Sequence, residues 1–246
     1  MNNDDRYARQ RVMPDLGVEA QASWANAHVA IIGMGGLGCG VAMALVSSGI
    51  GRLTICDGDG VTMSNLHRQW LYDERHLGQS KVLAAENTLK QMRPDIQIYG
   101  VNQWLDTQVL KDIVDSGIDF IVDATDQIET KYTLDAGLKS TPIPWVFGAA
   151  EQWEGRVTTL NFPDAQGRRW YLSDFYGENN RGFMLGSCLQ RGILPPIVQA
   201  VSMLQAIEVL RALANLMPNY VGRMLIWDAG TGTFLSPTRQ TSGAKP

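Results

Sequence analysis

Cysteine is scarce. Cys39, Cys56 and Cys188 are the only three in 246 residues, too few and too scattered for a disulfide framework or a four-cysteine metal site. A reducing, cytoplasmic setting is the expectation that follows. Basic runs are missing too, and the formal charge of −4 argues against nucleic acid as the main partner. The N-terminus, Met-Asn-Asn-Asp-Asp-Arg, lacks a basic stub followed by an apolar core, so no secretory signal is read there. A clean membrane span is also absent. The most apolar long stretch, Pro195 to Leu216, carries Gln199, Gln205, Glu208 and Arg211, which predicts a core or interface helix instead. What remains is a globular composition, 45% hydrophobic and 19% charged, long enough for one substantial core. Residues 1–235 read as one domain, and 236–246 as a disordered tail with little to bury.

Glycine is where the chain is informative. Residues 28–38 run as apolar β-type sequence into Gly33-Met-Gly35-Gly36-Leu-Gly38, and Leu53-Thr-Ile-Cys-Asp57 is a second such run ended by an acid. Gly33 lets the chain turn off the strand, Gly35 lets bare backbone approach a phosphate, and Gly38 lets the next helix pack close. That helix, opening at Gly36, offers unpaired N–H groups and a positive dipole end to an anion. Asp57, 19 residues after Gly38, sits where a carboxylate accepts from ribose hydroxyls.

Strand-like runs at 28–33, 53–57, 96–101, 119–124 and 144–148 alternate with helix-like stretches near 36–48, 79–92, 106–116 and 127–139. The alternation predicts an α/β fold, a Rossmann-like doubly wound sheet that is mostly parallel with helices on both faces. A leading helix or pair of helices occupies 5–26. Beyond 150 the rhythm changes: 156–162 and 224–228 read as strands without a crossover, giving antiparallel strands in the C-terminal part. The polar, Gly-rich stretch 164–192 between them reads as a mobile loop over the site. A helix over 196–216 has apolar residues around much of its circumference, so it is expected to be buried on more than one side.

Polar groups cluster where those strands end, which is where open α/β sheets hold ligands. Asn65 and Arg68, in Ser64-Asn-Leu-His-Arg68-Gln69, sit on an excursion after Asp57, and a guanidinium there supplies fixed donors and full charge to a triphosphate. Lys81 opens a helix, where a cation opposes the dipole unless an anion lies nearby; a solvated surface lysine is the alternative. Asp126 ends a further strand in Asp123-Ala-Thr-Asp126 and is a candidate magnesium ligand, or else a cap on the helix beginning at 127. Cys39 and Cys56 read as core.

In order, RYARQ (6–10), GMGGLG (33–38), DGD (57–59), SNLHRQ (64–69), LGQSK (77–81) and ATD (124–126) resemble the ThiF/MoeB/HesA family of adenylyltransferases, relatives of ubiquitin-activating enzymes. The likeness runs from about residue 5 to 230, and SNLxRQ with the downstream GxxK is far more specific than the glycines. It implies ATP and magnesium as cofactors and a small β-grasp sulfur-carrier protein as partner. The carrier's C-terminal Gly-Gly carboxylate would join the α-phosphorus, giving an acyl-adenylate and pyrophosphate. By the same resemblance Asp57 holds the ribose, with Asp59 in the same nucleotide-binding stretch. Asn65, Arg68 and Lys81 hold the phosphates and Asp126 the metal, while Arg9 reaches the phosphates from the partner subunit of a homodimer. The attacking carboxylate is already ionised, so no general base is required; alignment and charge neutralisation carry the step. Cys188, in Leu185-Gly-Ser-Cys188, matches a position whose thiol takes part in sulfur transfer in relatives, with a small buried hydrophobe as the alternative.

Two departures stand out. The paired C-x-x-C motifs that build a structural zinc site in many relatives are missing, so no structural zinc is expected. Asp126 is followed by Gln127, and the arginine usual four residues further is Lys131, which keeps the charge and loses the planar fork. Both leave the acyl partner more open than the ATP chemistry. Adenylation of a peptide or a tRNA-borne carboxylate is the alternative, with low basic content weighing against tRNA. A NAD or FAD oxidoreductase would share the glycines and the strand-end acid but would leave Arg68, Lys81 and Asp126 unexplained. A catalytically silent scaffold would share the fold alone.

Overall fold

The computed structural model describes residues 6–177 and 192–237. Eight strands form one sheet in the order β3-β2-β1-β4-β5-β6-β7-β8. The parallel part comprises β1 (His28–Ile32), β2 (Arg52–Cys56), β3 (Gln97–Val101), β4 (Phe120–Asp123) and β5 (Trp145–Glu151). From β5 the sheet continues antiparallel through β6 (Glu154–Leu160), β7 (Leu225–Asp228) and β8 (Thr233–Leu235). The mostly parallel sheet with an antiparallel C-terminal part is therefore the expected one. β8 was not anticipated: its three residues are exposed, so no buried face marks it in the sequence.

The period of two in β1 distributes the core to both faces. Val29 and Ile31 join one apolar cluster with α2 (Gly17–Asn26), α3 (Gly36–Ser48), α4 (Lys81–Met92) and the long C-terminal helix; Ala30 and Ile32 join the other. That second cluster is covered by α5 (Thr107–Asp115), α6 (Ile128–Leu138) and α7 (Leu172–Tyr176). The expected helices thus appear within a few residues of their predicted ends. The leading segment is a pair, α1 (Ala8–Arg11) followed by α2.

The C-terminal helix, α8 (Pro195–Leu213), is long and apolar enough by length and composition to cross a membrane, yet half of its most apolar stretch is buried inside the fold. Its polar groups have interior partners: Gln205 Nε2 donates to Asp123 O (2.7 Å), and Glu208 accepts from Thr159 Oγ1 (2.7 Å) and the amides of Asn219 and Tyr220. Against α3 it runs so close that a Cβ on Gly40 would lie 2.1 Å from Ser202 Oγ. Burial on more than one side is thus correct.

The mobile loop expected over 164–192 needs correction in its first half. The Asp164 carboxylate accepts from the amides of Gln166 and Arg168 and from Trp170 Nε1, while the Arg168 guanidinium stacks 3.7 Å from the Trp170 ring centroid. Trp170 and Leu172 then enter the second core cluster. Local polarity at 164–169 masked a turn fastened to the interior. Residues 178–191 and the tail beyond 237 lie outside the described residues.

Candidate functional site

A cavity of about 480 Å³ opens at the carboxyl ends of β1, β2, β4 and β5. Gly33 leaves β1 with φ +91°, a conformation that favours glycine, and its amide donates to Cys56 O (2.8 Å). Gly38 packs α3 onto this turn: a Cβ there would lie 1.9 Å from Gly33 O. Gly35 is the N-cap of α3, so the amides of Gly36, Leu37 and Gly38 have no intrahelical acceptor at the end that lines the cavity. The turn at Gly33 and the close packing at Gly38 are as expected, and the open end of α3 faces the cavity.

Asp57 is buried beneath the glycine loop. One carboxylate oxygen accepts from Met34 N and the other from Asp59 N, both at 2.7 Å. The carboxylate thus has a fastening role that sequence reasoning missed, and each oxygen retains a second lone pair.

Lys81 is the first residue of α4, behind the Ser80 cap. Its Nζ lies 2.8 Å from Asp59 Oδ2 and 3.8 Å from Asp57 Oδ2, with only 5% of the side chain exposed. The solvated-lysine alternative is overturned. Asn65 ends a short 3-10 turn, Met63–Asn65, and its Oδ1 accepts from Arg68 Nη2 (2.9 Å) while its Nδ2 donates to Thr62 Oγ1 (2.8 Å). Gln199 of α8 fixes the same loop by donating to Arg68 O (3.1 Å).

Asp126 stands exposed at the cavity rim after β4 and makes no hydrogen bond or ion pair among the described residues. The helix cap is Gln127, without a side-chain bond, so the cap alternative for Asp126 is also overturned. Five residues on, Lys131 is buried with its ammonium saturated. It donates to Asp123 Oδ2 (2.6 Å), Thr125 O (2.9 Å) and Gly148 O (3.1 Å), and lies 4.7 Å from the Phe147 ring centroid.

The far end of the cavity was missed from sequence: Gln103, Trp104 and Leu105, just after β3. The Trp104 indole lies over Gly58, where a Cβ would come within 2.7 Å of it. An exposed tryptophan following a parallel strand end was the available signal. Gln69, also missed, lines the cavity beside Gly35.

Arg9 is not brought to this cavity. Its helix packs at the other end of α3, where Gln10 Nε2 donates to Ser48 O (3.5 Å) and a Cβ on Gly49 would meet the Tyr7 ring. The 13 residues of α3 span about 20 Å. Cys39 and Cys56 are core as expected, and burial pushes each thiol up to about 12. Cys188 lies outside the described residues.

Comparisons with known proteins bear on the family and the fold. The ThiF family model matches residues 7–245. The molybdopterin-synthase adenylyltransferase of Escherichia coli K12 is 34% identical over 229 residues, covering 93% of this chain and 90% of its own length. The adenylyltransferase and sulfurtransferase MOCS3 of Xenopus laevis is 35% identical over 93% of this chain, which spans only half of that longer protein. Among solved structures, E. coli MccB with ATP superposes with a TM-score of 0.81 at 18% identity, covering 98% of this chain and 73% of that one; this shows the shared fold. On the family match and the first relative together, the chain belongs to the ThiF family.

Proposed function

We propose that this chain is an ATP-dependent adenylyltransferase that activates the C-terminal Gly-Gly carboxylate of a small β-grasp sulfur-carrier protein. The observation that carries the reading is one cavity uniting the first-turn amides of α3 with Asp57, Arg68, Lys81 and Asp126. The adenylyltransferase names of the curated relatives support it.

In this reading the carrier carboxylate attacks the α-phosphorus of ATP, the bond to the β-phosphate oxygen breaks, and acyl-adenylate and pyrophosphate result. Asp57 accepts from the ribose through its remaining lone pairs, with Asp59 beside it. The amides from Gly36 to Gly38, with Asn65 and Arg68, bind phosphate oxygens. Lys81 is released from Asp59 towards the same oxygens, which exchanges one anionic partner for another. Together they draw two anions together and balance charge growing on the departing pyrophosphate. The exposed Asp126 carboxylate, without a partner among the described residues, fits a magnesium ion, a hard cation that takes oxygen ligands; when bound it would supply charge neutralisation on phosphates. Since Arg9 lies at the opposite end of α3 from the cavity, it is read as completing the site of a second copy in a homodimer. Residues 1–235 are read as one adenylyltransferase domain, in a cytoplasmic setting that suits free, buried cysteines. Cys188 is assigned to sulfur transfer after adenylation, not to the adenylation itself.

ATP–pyrophosphate exchange tests the reading. Exchange that depends on a β-grasp carrier ending in Gly-Gly, and is lost when the tail is truncated, is the expected result. Exchange with short peptide acids but no carrier would move the assignment to a peptide carboxylate.

A further inference from the structure

Gln69 is the most deeply buried polar side chain on the wall of the cavity that has no protein partner to explain it. It is 2% exposed. Its Oε1 is buried without a hydrogen bond, and its Nε2 donates to no acceptor among the described residues. The backbone is fully engaged, with Gln69 N donating to Asn65 O and Gln69 O accepting from Tyr72 N, both at 3.1 Å. The residue is thereby fixed in place while its amide is left idle. The unpaired Oε1 costs about 1–3 kcal/mol of desolvation, and the same amide keeps an unused donor, Nε2, on the cavity wall where a ligand oxygen could take it.

Its surroundings define that ligand. The Nε2 atom is the nearest group to the space a Cβ on Gly35 would fill, at 3.7 Å, so the amide faces the bare backbone of the glycine loop. Arg68, one residue earlier, and the first turn of α3 line the same wall. Nε2, the Arg68 guanidinium and the first-turn amides of α3 are donors on that wall, and they favour an anionic oxygen. Lys81 is paired with Asp59 and Lys131 is saturated by three acceptors, so neither competes for the position in this arrangement.

Resting on the adenylyltransferase reading above, we propose that Gln69 donates from Nε2 to one non-bridging oxygen of the α-phosphoryl group of ATP, and so selects one face of the phosphorus for attack. The α-phosphoryl group is assigned over the β and γ groups because Gln69 sits by Gly35 at the mouth of the strand β1 turn. That is the side of the loop shared with Asp57, whose carboxylate is tied to Met34 and placed for the ribose.

The test uses the full chain, with MgATP and the two diastereomers of adenosine 5′-O-(1-thiotriphosphate) as probes and binding read by titration calorimetry. Sulfur accepts hydrogen bonds poorly. The wild-type protein is expected to bind one diastereomer roughly tenfold more weakly than ATP, and Gln69→Met is expected to lose that discrimination because the donor is gone. The γ-thio analogue should distinguish the two proteins little. Gln69→Glu, nearly isosteric, places a carboxylate against the phosphate and should weaken ATP binding at least tenfold while leaving adenosine binding unchanged, which a merely unfolded or loosened variant would not do. Unchanged diastereomer discrimination in Gln69→Met, or equal weakening of ATP and adenosine in Gln69→Glu, would overturn the proposal. A wild-type protein that binds no MgATP would instead overturn the adenylyltransferase reading on which it stands.

Discussion

Lys131 Nζ lies 2.6 Å from Asp123 Oδ2, and Asp123 is wholly buried. The pair sits beneath the cavity and holds the turn that carries Asp126, because Asp123 Oδ1 also accepts from Thr125 N and Thr125 Oγ1. Replacing Lys131 by Met would strand a buried charge. The expected cost is about 3–5 kcal/mol of stability, read by urea unfolding. A loss under 1 kcal/mol would show that water reaches Asp123.

Arg68 and Lys81 reach the cavity from different elements, one from a loop after β2 and the other from the start of α4. Arg68→Ala and Lys81→Ala are each expected to lower adenylation by about 2–4 kcal/mol of transition-state stabilisation, measured as kcat/KM. Normal turnover in both would refute the phosphate assignment.

Asp126 has no partner among the described residues, so Asp126→Asn should leave the melting temperature within error. The expected change is a higher magnesium concentration for half-maximal exchange. An unaltered magnesium dependence would remove Asp126 from metal binding.

Two copies are needed if Arg9 serves a neighbouring site. Arg9→Ala and Arg68→Ala, each nearly inactive alone, should on mixing and subunit exchange recover up to about a quarter of wild-type activity, since half the dimers are mixed and each has one intact site. Absence of recovery in dimers proven to exchange would place Arg9 elsewhere.

The thiols of Cys39 and Cys56 are held protonated by burial, with values pushed from 9.0 to about 12. Both are raised in the folded chain, so their stabilisation is complete below 9.0 and is lost as pH rises towards 12. Stability measured by urea midpoints should fall across that interval, and the slope should lessen in a double alanine variant. Neither thiol should react with a disulfide reagent at neutral pH in the folded protein.

The centre of the parallel half was legible because β1, β2 and β4 are apolar runs that end at glycine or acid, as at Gly33 and Asp57. Its helices were legible because they begin at clear stops such as Ser80 and Asp106. Three exposed residues were too little signal for β8. The 164–177 segment was misread because Trp170 and Leu172 are isolated apolar residues, and their burial depends on contacts distant in sequence. At the site, the identity of charged residues was readable but their pairing was not. Nothing local to Lys81 announces Asp59 across 22 positions. Gln69 and Trp104 were passed over because a neutral amide and an aromatic ring declare no chemistry until the fold sets them on a cavity wall.

The bonds from Asp57 to Met34 and to Asp59 splice two turns that belong to different β–α units. Any nucleotide sugar gripping that carboxylate therefore tugs on both turns at once. On the proposed reading, recognition of the sugar and shaping of the bed for its phosphates would be one mechanical event, and an alteration at Asp57 would misalign the reacting end even in a chain that still held its nucleotide.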